Sequence, residues 1–341
     1  MEHIRIIDAT LRDGMHAVSH QFSPEDMAAI AEGLDKAGVY AVEAGHGDGM
    51  GGSSYQYGFS KATDEDYLKA VSAVLTETKL DILILPGIGT RAELELGAKY
   101  GARVCRIATH VTEADIGMEY IHIAKSLGME AVGFLMMAHM APVETVVEQA
   151  KLFESYGADL VYVTDSAGAM LPWQVTEKVA AVKAAVSVPV GFHAHNNMGL
   201  AVGNTLAAIQ AGATCVDGCL RGLGAGAGNA QTEVLAAALD RMGVETGVNL
   251  YSLMDAAEDK VAPRMHRPQI IDKYSLSIGW AGVYGSFLLH ALRAGEKFGV
   301  DPRDILVEMG HRKTVGGQED LIVAIASELA TKHAQGEQAA S

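Results

Sequence analysis

Val188-Pro189-Val190-Gly191-Phe192-His193-Ala194-His195-Asn196-Asn197 is a short apolar run that ends in two imidazoles and two amides. The run Val188 to His193 has the length and composition of a buried strand. Side chains two apart on a strand point the same way, so His193 and His195 share a face with only Ala194 between them. Seven more runs of this kind occur: Ile4 to Ala9, Tyr40 to Ala44, Asp81 to Leu85, Arg103 to Ala108, Ala131 to Met137, Leu160 to Thr164 and Thr214 to Leu220. Between them lie polar turns and segments of helical period.

The helical segments carry start and stop signals. Ser23-Pro24-Glu25-Asp26, Thr63-Asp64-Glu65, Thr90-Arg91-Ala92-Glu93 and Thr112-Glu113-Ala114-Asp115 each offer a capping oxygen and an early carboxylate. These satisfy free amides and the positive end of the helix dipole. Gly38, Gly101, Gly157 and Gly212 stand where a left-handed residue ends a helix. Eight strands alternating with helices over about 240 residues predict an α/β (β/α)8 TIM barrel. A doubly wound open sheet is the alternative, but the first turn, Arg12-Asp13-Gly14-Met15-His16, lacks the Gly-rich dinucleotide fingerprint. After Arg241 the alternation stops, and Tyr251 to Val261, Ala281 to Phe298, Pro302 to Gly310 and Glu319 to His333 read as helices. The expected division is a catalytic barrel over 1–262, a C-terminal helical domain over 263–333 and a disordered tail over 334–341. Ala262 to Pro268 is the expected hinge.

Composition narrows the function. The 341 residues carry 26 basic and 42 acidic side chains, a formal charge of −16 that repels nucleic acid and anionic lipid. Three cysteines, Cys105, Cys215 and Cys219, make no disulfide framework and suit a reducing cytoplasm. No leader-like N-terminus and no apolar run of about 18 residues is found, so a soluble, unexported chain is expected.

A barrel of this type keeps its chemistry at the C-terminal ends of its strands. Those positions hold Asp8, Arg12, Asp13, His16, Glu43, His46, Asp48, His110, His139, Asp165, Ser166, His193, His195, Arg221 and Asn229. Two histidines on one strand face are a metal-ligand pair lacking a carboxylate, and Asp13 can approach them across the rim. An Asp/His/His set leaves positions open for water and substrate, and suits Mn²⁺, Mg²⁺, Co²⁺ or Zn²⁺. No strand end carries a Lys for Schiff-base chemistry, so carbonyl chemistry here needs a metal, with Arg12 as a second positive charge. Arg12 is equally readable as an ion-pair partner of Asp13 or Glu43. His16 has the titration range of a general base, or is a helix-capping residue. The run Arg221 to Asn229, with four glycines, either binds phosphate or lets backbone approach a ligand, or is simply a mobile turn.

Asp8-Ala9-Thr10-Leu11-Arg12-Asp13-Gly14, His193-Ala194-His195 and Gly226-Ala227-Gly228-Asn229 together resemble the metal-dependent barrel superfamily of 3-hydroxy-3-methylglutaryl-CoA lyase, isopropylmalate synthase and homocitrate synthase. Within it the chain is most similar to the 4-hydroxy-2-oxoacid (4-hydroxy-2-oxovalerate) aldolases. Further matching stretches are His46-Gly47-Asp48-Gly49, Leu85-Pro86-Gly87-Ile88-Gly89, Ala108-Thr109-His110, Gly133-Phe134-Leu135-Met136-Met137, Gly282-Val283-Tyr284 and Val315-Gly316-Gly317-Gln318-Glu319-Asp320. The synthases' Glu-Gln after Arg-Asp-Gly is replaced by Met15-His16, and the lyase's loop Cys has no counterpart between Gly224 and Asn229. Met15, where these aldolases often have Ser, and Trp280, where Tyr is usual, depart from the aldolase pattern.

The resemblance implies cleavage of a 4-hydroxy-2-oxoacid to pyruvate and an aldehyde. It implies a divalent metal, Mn²⁺ first, on Asp13, His193 and His195, and catalytic roles for Arg12, His16 and Tyr284. Substrate contacts then fall to Arg12, Ser166, His193 and Tyr284. It also implies channelling of the aldehyde to an acylating acetaldehyde or propionaldehyde dehydrogenase in a heterotetramer, in aromatic or steroid catabolism. The C-terminal helices become a docking surface; bracing of the barrel or a homodimer contact is their other reading. An acyl-CoA-dependent Claisen synthase and a non-catalytic metal-binding subunit are the competing functions.

Overall fold

The computed structural model describes residues 3–334 and 336. Its strands are β1 (Arg5–Leu11), β2 (Ala41–Ala44), β3 (Lys79–Ile84), β4 (Val104–His110), β5 (Glu130–Met136), β6 (Leu160–Asp165), β7 (Val190–Ala194) and β8 (Cys215–Gly218). All eight expected runs are strands, with ends moved by a few residues. They pair in parallel in chain order, and β8 returns to β1 to close the barrel. Both strand faces are buried, which is why the runs are apolar throughout rather than alternating.

The barrel's helices are α1 (Pro24–Ala37), α2 (Asp64–Ser72), α3 (Arg91–Lys99), α4 (Met118–Ser126), α5 (Val143–Ser155), α6 (Pro172–Ala185), α7 (Ala201–Gln210) and α8 (Thr232–Arg241). Ser23, Thr63 and Thr90 each form the expected reciprocal cap with a carboxylate three residues on. Thr112 does not. Its hydroxyl pairs with His110 Nδ1 at 2.8 Å, and Gln149 Oε1 accepts from the Ala114 amide at 2.8 Å, ahead of a short 3-10 turn, Ala114–Gly117. A nearer imidazole takes the hydroxyl that a cap would have used. Gly38, Gly101, Gly157 and Gly212 all have positive φ, as their places after helices require.

Beyond the barrel come α9 (Leu250–Asp255), continued by a π-helical turn to Val261, then α10 (Lys273–Ala281), α11 (Phe287–Phe298), α12 (Pro302–His311) and α13 (Asp320–Ala334). The helix expected over 281–298 is therefore two elements. Gly282 (φ +65°) ends α10 in the left-handed region, and residues 282–286 turn the chain before α11 starts. The stretch 266–272, within which the hinge was expected to end, is largely without regular structure. The expected tail, 334–341, lies outside the described residues except for Ala334, which closes α13, and Gly336.

Apolar burial divides accordingly. One core lies between the sheet and its helices and a smaller one inside the barrel, with Ile7, Leu83, Val132, Phe134 and Tyr162. The helical region has its own core around Ile278, Phe287, Ile305, Met309 and Ile322. No helix among the described residues is long and apolar enough to cross a membrane.

Candidate metal centre and barrel mouth

Asp13 opens a 3-10 turn (Asp13–Val18) just after β1, while His193 is near the end of β7 and His195 lies just past it. Barrel closure brings them together. Asp13 Oδ2 lies 4.0 Å from His193 Nε2 and 3.6 Å from His195 Nε2, and all three residues are buried. Two donors about 2.1 Å from one ion can be at most about 4.2 Å apart, so these separations fit a shared divalent cation. Asp13 Oδ1 faces the other way, accepting from Asn229 Nδ2 at 3.0 Å and from the Ala225 amide at 3.3 Å. Asn229 Oδ1 and His195 Nδ1 are buried without a hydrogen-bond partner among the described residues. Burial raises the Asp13 carboxyl, but Arg12 and the imidazoles of His195, His16 and His193 outweigh it and hold its pKa below the carboxylate range. Burial lowers His195 to about 4 against the opposing pull of Asp13, so its ring is in the neutral, ligating form near neutral pH.

The Gly run after β8 is a backbone approach to this centre. A side chain on Gly224 (φ +155°) would collide with Asn229 Nδ2 and come within 2.9 Å of Asp13 Oδ1. Only glycine lets the loop lie against the donor carboxylate.

Arg12 is an ion-pair partner of both residues the sequence offered, Asp13 and Glu43. Its Nε donates to Glu43 Oε2 at 2.9 Å, and one terminal nitrogen donates to Asp13 Oδ2 at 2.8 Å and to the Gly47 carbonyl at 3.2 Å. Burial opposes the charge, yet the carboxylates of Glu43 and Asp13 hold the guanidinium above its usual pKa. It is a fixed cation bonded directly to the donor carboxylate.

His16 lies in the same turn; its carbonyl accepts from the Ser19 amide at 3.3 Å, and its ring caps no helix among the described residues. A Cβ on Gly47 would sit 2.8 Å from His16 Nε2 and 2.6 Å from His20 Cε1, so both rings close on bare backbone there. His20 in turn stacks on His46, ring centroids 3.9 Å apart. Burial and the neighbouring His16 and His46 lower His20 to about 3. His16, His20 and Asp48 are also near enough to hold an ion. In that second cluster His20 Nδ1 accepts from the Gly47 amide at 3.4 Å and Asp48 faces His46 at 3.6 Å; in the first, Asp13 Oδ2 accepts from Arg12 while both Nε2 atoms face it.

Ser166 follows β6, and its hydroxyl accepts from the Met137 amide at 3.0 Å, leaving its own proton to donate. Of the amides beside it, those of Ala169 and Met170 bond the Asp165 carboxylate and that of Gly168 the Asp165 carbonyl. These three amides are thus taken, which leaves the Ser166 hydroxyl as the free polar group of this turn.

Tyr284 occupies the turn between α10 and α11, and burial, with Glu113 adding to it, pushes its phenol above the usual range. Three contacts bring this turn and its approach onto the barrel's C-terminal face. His139 Nε2 donates to the Gly282 carbonyl at 3.0 Å, a Cβ on Gly285 would lie 3.7 Å from Ala225, and Gln269 Nε2 donates to the Gly224 carbonyl at 2.8 Å. Met15 is fully buried, and Trp280 is 70% exposed, so its difference falls on an outer face of α10.

Two residues went unsingled in the sequence. Arg106 and Asp217 lie inside runs read as apolar strands, and both are fully buried in the barrel interior. Asp217 accepts two bonds from Arg106, at 2.5 and 2.8 Å, one from Tyr162 at 2.8 Å and one from His193 Nδ1 at 2.8 Å. A charge in mid-strand, on the inward alternate positions, was the signal available.

An eight-stranded parallel barrel whose mouth gathers an aspartate, two histidines and a paired arginine defines a class, and the chain belongs to it: it is a member of the HMGL-like family, whose profile matches residues 3–259. A second profile, the DmpG-like communication domain, matches residues 269–331. Over 332 residues the chain is 70% identical to the 4-hydroxy-2-oxovalerate aldolase of Carboxydothermus hydrogenoformans, covering 97% of this chain and 99% of that one. It is 63% identical to the 4-hydroxy-2-oxovalerate aldolase of Moorella thermoacetica, over 96% of this chain and 97% of the other. Among solved structures, the carboxyl transferase domain of Rhizobium etli pyruvate carboxylase superposes with a TM-score of 0.80 at 15% identity, over 98% of this chain and 61% of that one. That last likeness is one of fold.

Proposed function

We propose that the protein is a divalent-metal-dependent aldolase that cleaves 4-hydroxy-2-oxoacids to pyruvate and an aldehyde. The observation that carries the reading is the meeting of Arg12 with the Asp13, His193 and His195 donors at one point of the mouth, in a chain 70% identical to a 4-hydroxy-2-oxovalerate aldolase. That relationship, nearly end to end, favours the aldolase over a Claisen synthase or a non-catalytic subunit.

Asp13, His193 and His195 would hold the cation, with Mn²⁺ preferred over Mg²⁺, Co²⁺ or Zn²⁺. When bound, it supplies Lewis-acid stabilisation of negative charge at the 2-oxo group. His16, directly or through water, takes the proton of the 4-hydroxyl. The C3–C4 bond then breaks, its electron pair passing to C3 as pyruvate enolate while the C4 oxygen becomes the aldehyde carbonyl. Arg12 faces the developing enolate charge, and protonation at C3 completes pyruvate. Ser166 holds the carboxylate, and Tyr284 orients the hydroxyl end over the mouth. The chain divides functionally into a catalytic barrel, 1–262, and a helical domain, 263–333. The match to a communication domain supports docking of an acylating aldehyde dehydrogenase there, as a heterotetramer in the cytoplasm that passes on the aldehyde. Exposed Leu276, Leu289 and Val323 offer that partner apolar surface.

Metal-stripped protein should release no pyruvate. Restoring Mn²⁺ should give turnover across a series of 4-hydroxy-2-oxoacids, followed by coupling pyruvate to lactate dehydrogenase. Thiol release from pyruvate plus acetyl-CoA, with no retro-aldol turnover, would overturn the aldolase reading.

A further inference from the structure

The barrel interior is normally filled by branched apolar side chains. Below the mouth, this chain instead buries a ring of charge. β2 and β3 register Glu43 beside Asp81, and β7 and β8 register Phe192 beside Val216, which sets His193 beside Asp217. Arg106, from β4, lies between these pairs. Its fork grips Asp217, and its Nε lies 2.9 Å from Asp81 Oδ2 and 3.7 Å from Glu43 Oε1. The other oxygen of Glu43 accepts from Arg12. The path Asp13, Arg12, Glu43, Arg106, Asp217, His193 therefore runs round the interior and returns to the gap between His193 Nε2 and Asp13 Oδ2.

We infer that Asp217 and Arg106 are positioning residues for the metal site: Asp217 fixes the orientation and tautomer of His193, and Arg106 fixes Asp217. The inference rests on the metal-site reading above. A carboxylate oxygen only accepts, so the 2.8 Å contact puts a His193 proton on Nδ1, and in the neutral ring that a cation binds it is Nε2, facing Asp13, that carries the lone pair. Asp217 is itself immobilised by the Arg106 fork and the Tyr162 hydroxyl, and the aromatic rings of Tyr162 and Phe134 flank the guanidinium, 4.7 and 5.3 Å away. Stability alone is a poor account of the ring, since desolvating such charges costs about what their attraction returns and apolar packing would serve as well. Charge favours a cation too. Two guanidiniums face four carboxyl groups, those of Asp13, Glu43, Asp81 and Asp217; burial pushes Asp81 well above the carboxylate range, and the other three still outnumber the guanidiniums beside the two imidazoles.

The test is Co²⁺ and Mn²⁺ titration of metal-stripped full-length protein by calorimetry, with Co²⁺ absorption reporting coordination. Asp217→Asn should bind 10- to 100-fold more weakly than wild type, with an altered Co²⁺ spectrum. Tyr162→Phe, which deletes one bond to Asp217 and leaves the charges in place, should weaken binding by a smaller factor. A purely structural ring would lower the melting temperature of both variants while leaving affinity and spectrum those of wild type, and that result overturns the inference. Independently of any variant's folding, ¹⁵N-histidine spectra of the wild-type protein should show His193 protonated on Nδ1; protonation on Nε2 also overturns it. If His195→Ala binds Co²⁺ as wild type does, the metal-site reading itself has failed, and the inference with it.

Discussion

His139, in the loop after β5, donates from Nε2 to the carbonyl oxygen of Gly282 at 3.0 Å, two residues before Tyr284. Met137, two residues before His139, donates its amide to Ser166 at 3.0 Å. One short loop, held at a left-handed Met137 (φ +57°), thus touches both the segment carrying Tyr284 and the residue proposed to hold the substrate carboxylate. Replacing His139 by Phe keeps bulk and removes the donor, leaving the Gly282 carbonyl unpaired. The expected result is a fall of about tenfold in kcat/KM, the scale of one lost hydrogen bond at a positioned group. His139→Gln, which can still donate, should recover most of it in steady-state assays.

Arg12→Ala should lower kcat by two or more powers of ten while changing KM little, about the cost of removing one preorganised donor from developing charge. Enolate charge exists only late in the reaction, so the loss belongs to the transition state. Steady-state kinetics on metal-saturated enzyme check this, and near-normal turnover would remove Arg12 from the mechanism.

Gly47→Ala puts a methyl within 2.8 Å of His16 Nε2 and 2.6 Å of His20 Cε1, so the imidazoles must move. A shift of about 1 Å in a reacting group costs up to about 100-fold in rate. The expected variant is folded by circular dichroism, binds metal as wild type does, and is slowed by tenfold or more. Unchanged kcat would mean that the location of His16 is not critical.

The pH dependence of stability separates two kinds of buried group. Burial lowers His139 to about 4, the Gly282 carbonyl opposing in part, so between pH 6.5 and 4 the unfolded chain binds the proton the folded chain refuses. The stability advantage of wild type over His139→Gln should therefore be full above pH 6.5 and shrink as pH falls toward 4. Asp165 behaves oppositely: burial raises it to about 6, against the amides of Ala169 and Met170. Its ionisation weakens the fold as pH rises from 3.8 to 6, so Asp165→Asn should gain on wild type across that window. Urea unfolding of metal-stripped protein at a series of pH values measures both slopes, and parallel curves for variant and wild type would contradict the assignments.

Much of the centre was legible because its parts are local. A strand end is marked by the residues that end it, so the run into His193-Ala194-His195 exposed a two-imidazole face, and Arg12-Asp13 exposed the acid and the guanidinium at the first turn. The helix starts at Ser23, Thr63 and Thr90 were readable for the same reason, since each cap closes within three residues. Thr112 has the same local pattern but lost its cap to His110, and the helix expected over 281–298 broke at Gly282, where packing against His139 leaves no room for a Cβ.

By itself, the amino-acid sequence determined the strand and helix alternation, the barrel count, the acid, guanidinium and imidazoles that stand at the strand ends and the family likeness, because period, capping and strand termini are short-range properties of the chain. Only the tertiary structure decided that Arg106 reaches Asp217 across 111 residues, that Asp217 holds His193, and that Gly224 and Asn229 lie on Asp13. Those pairings depend on strand register and barrel closure, which bring buried charges from distant strands to one level, and no local pattern encodes which partner each will meet.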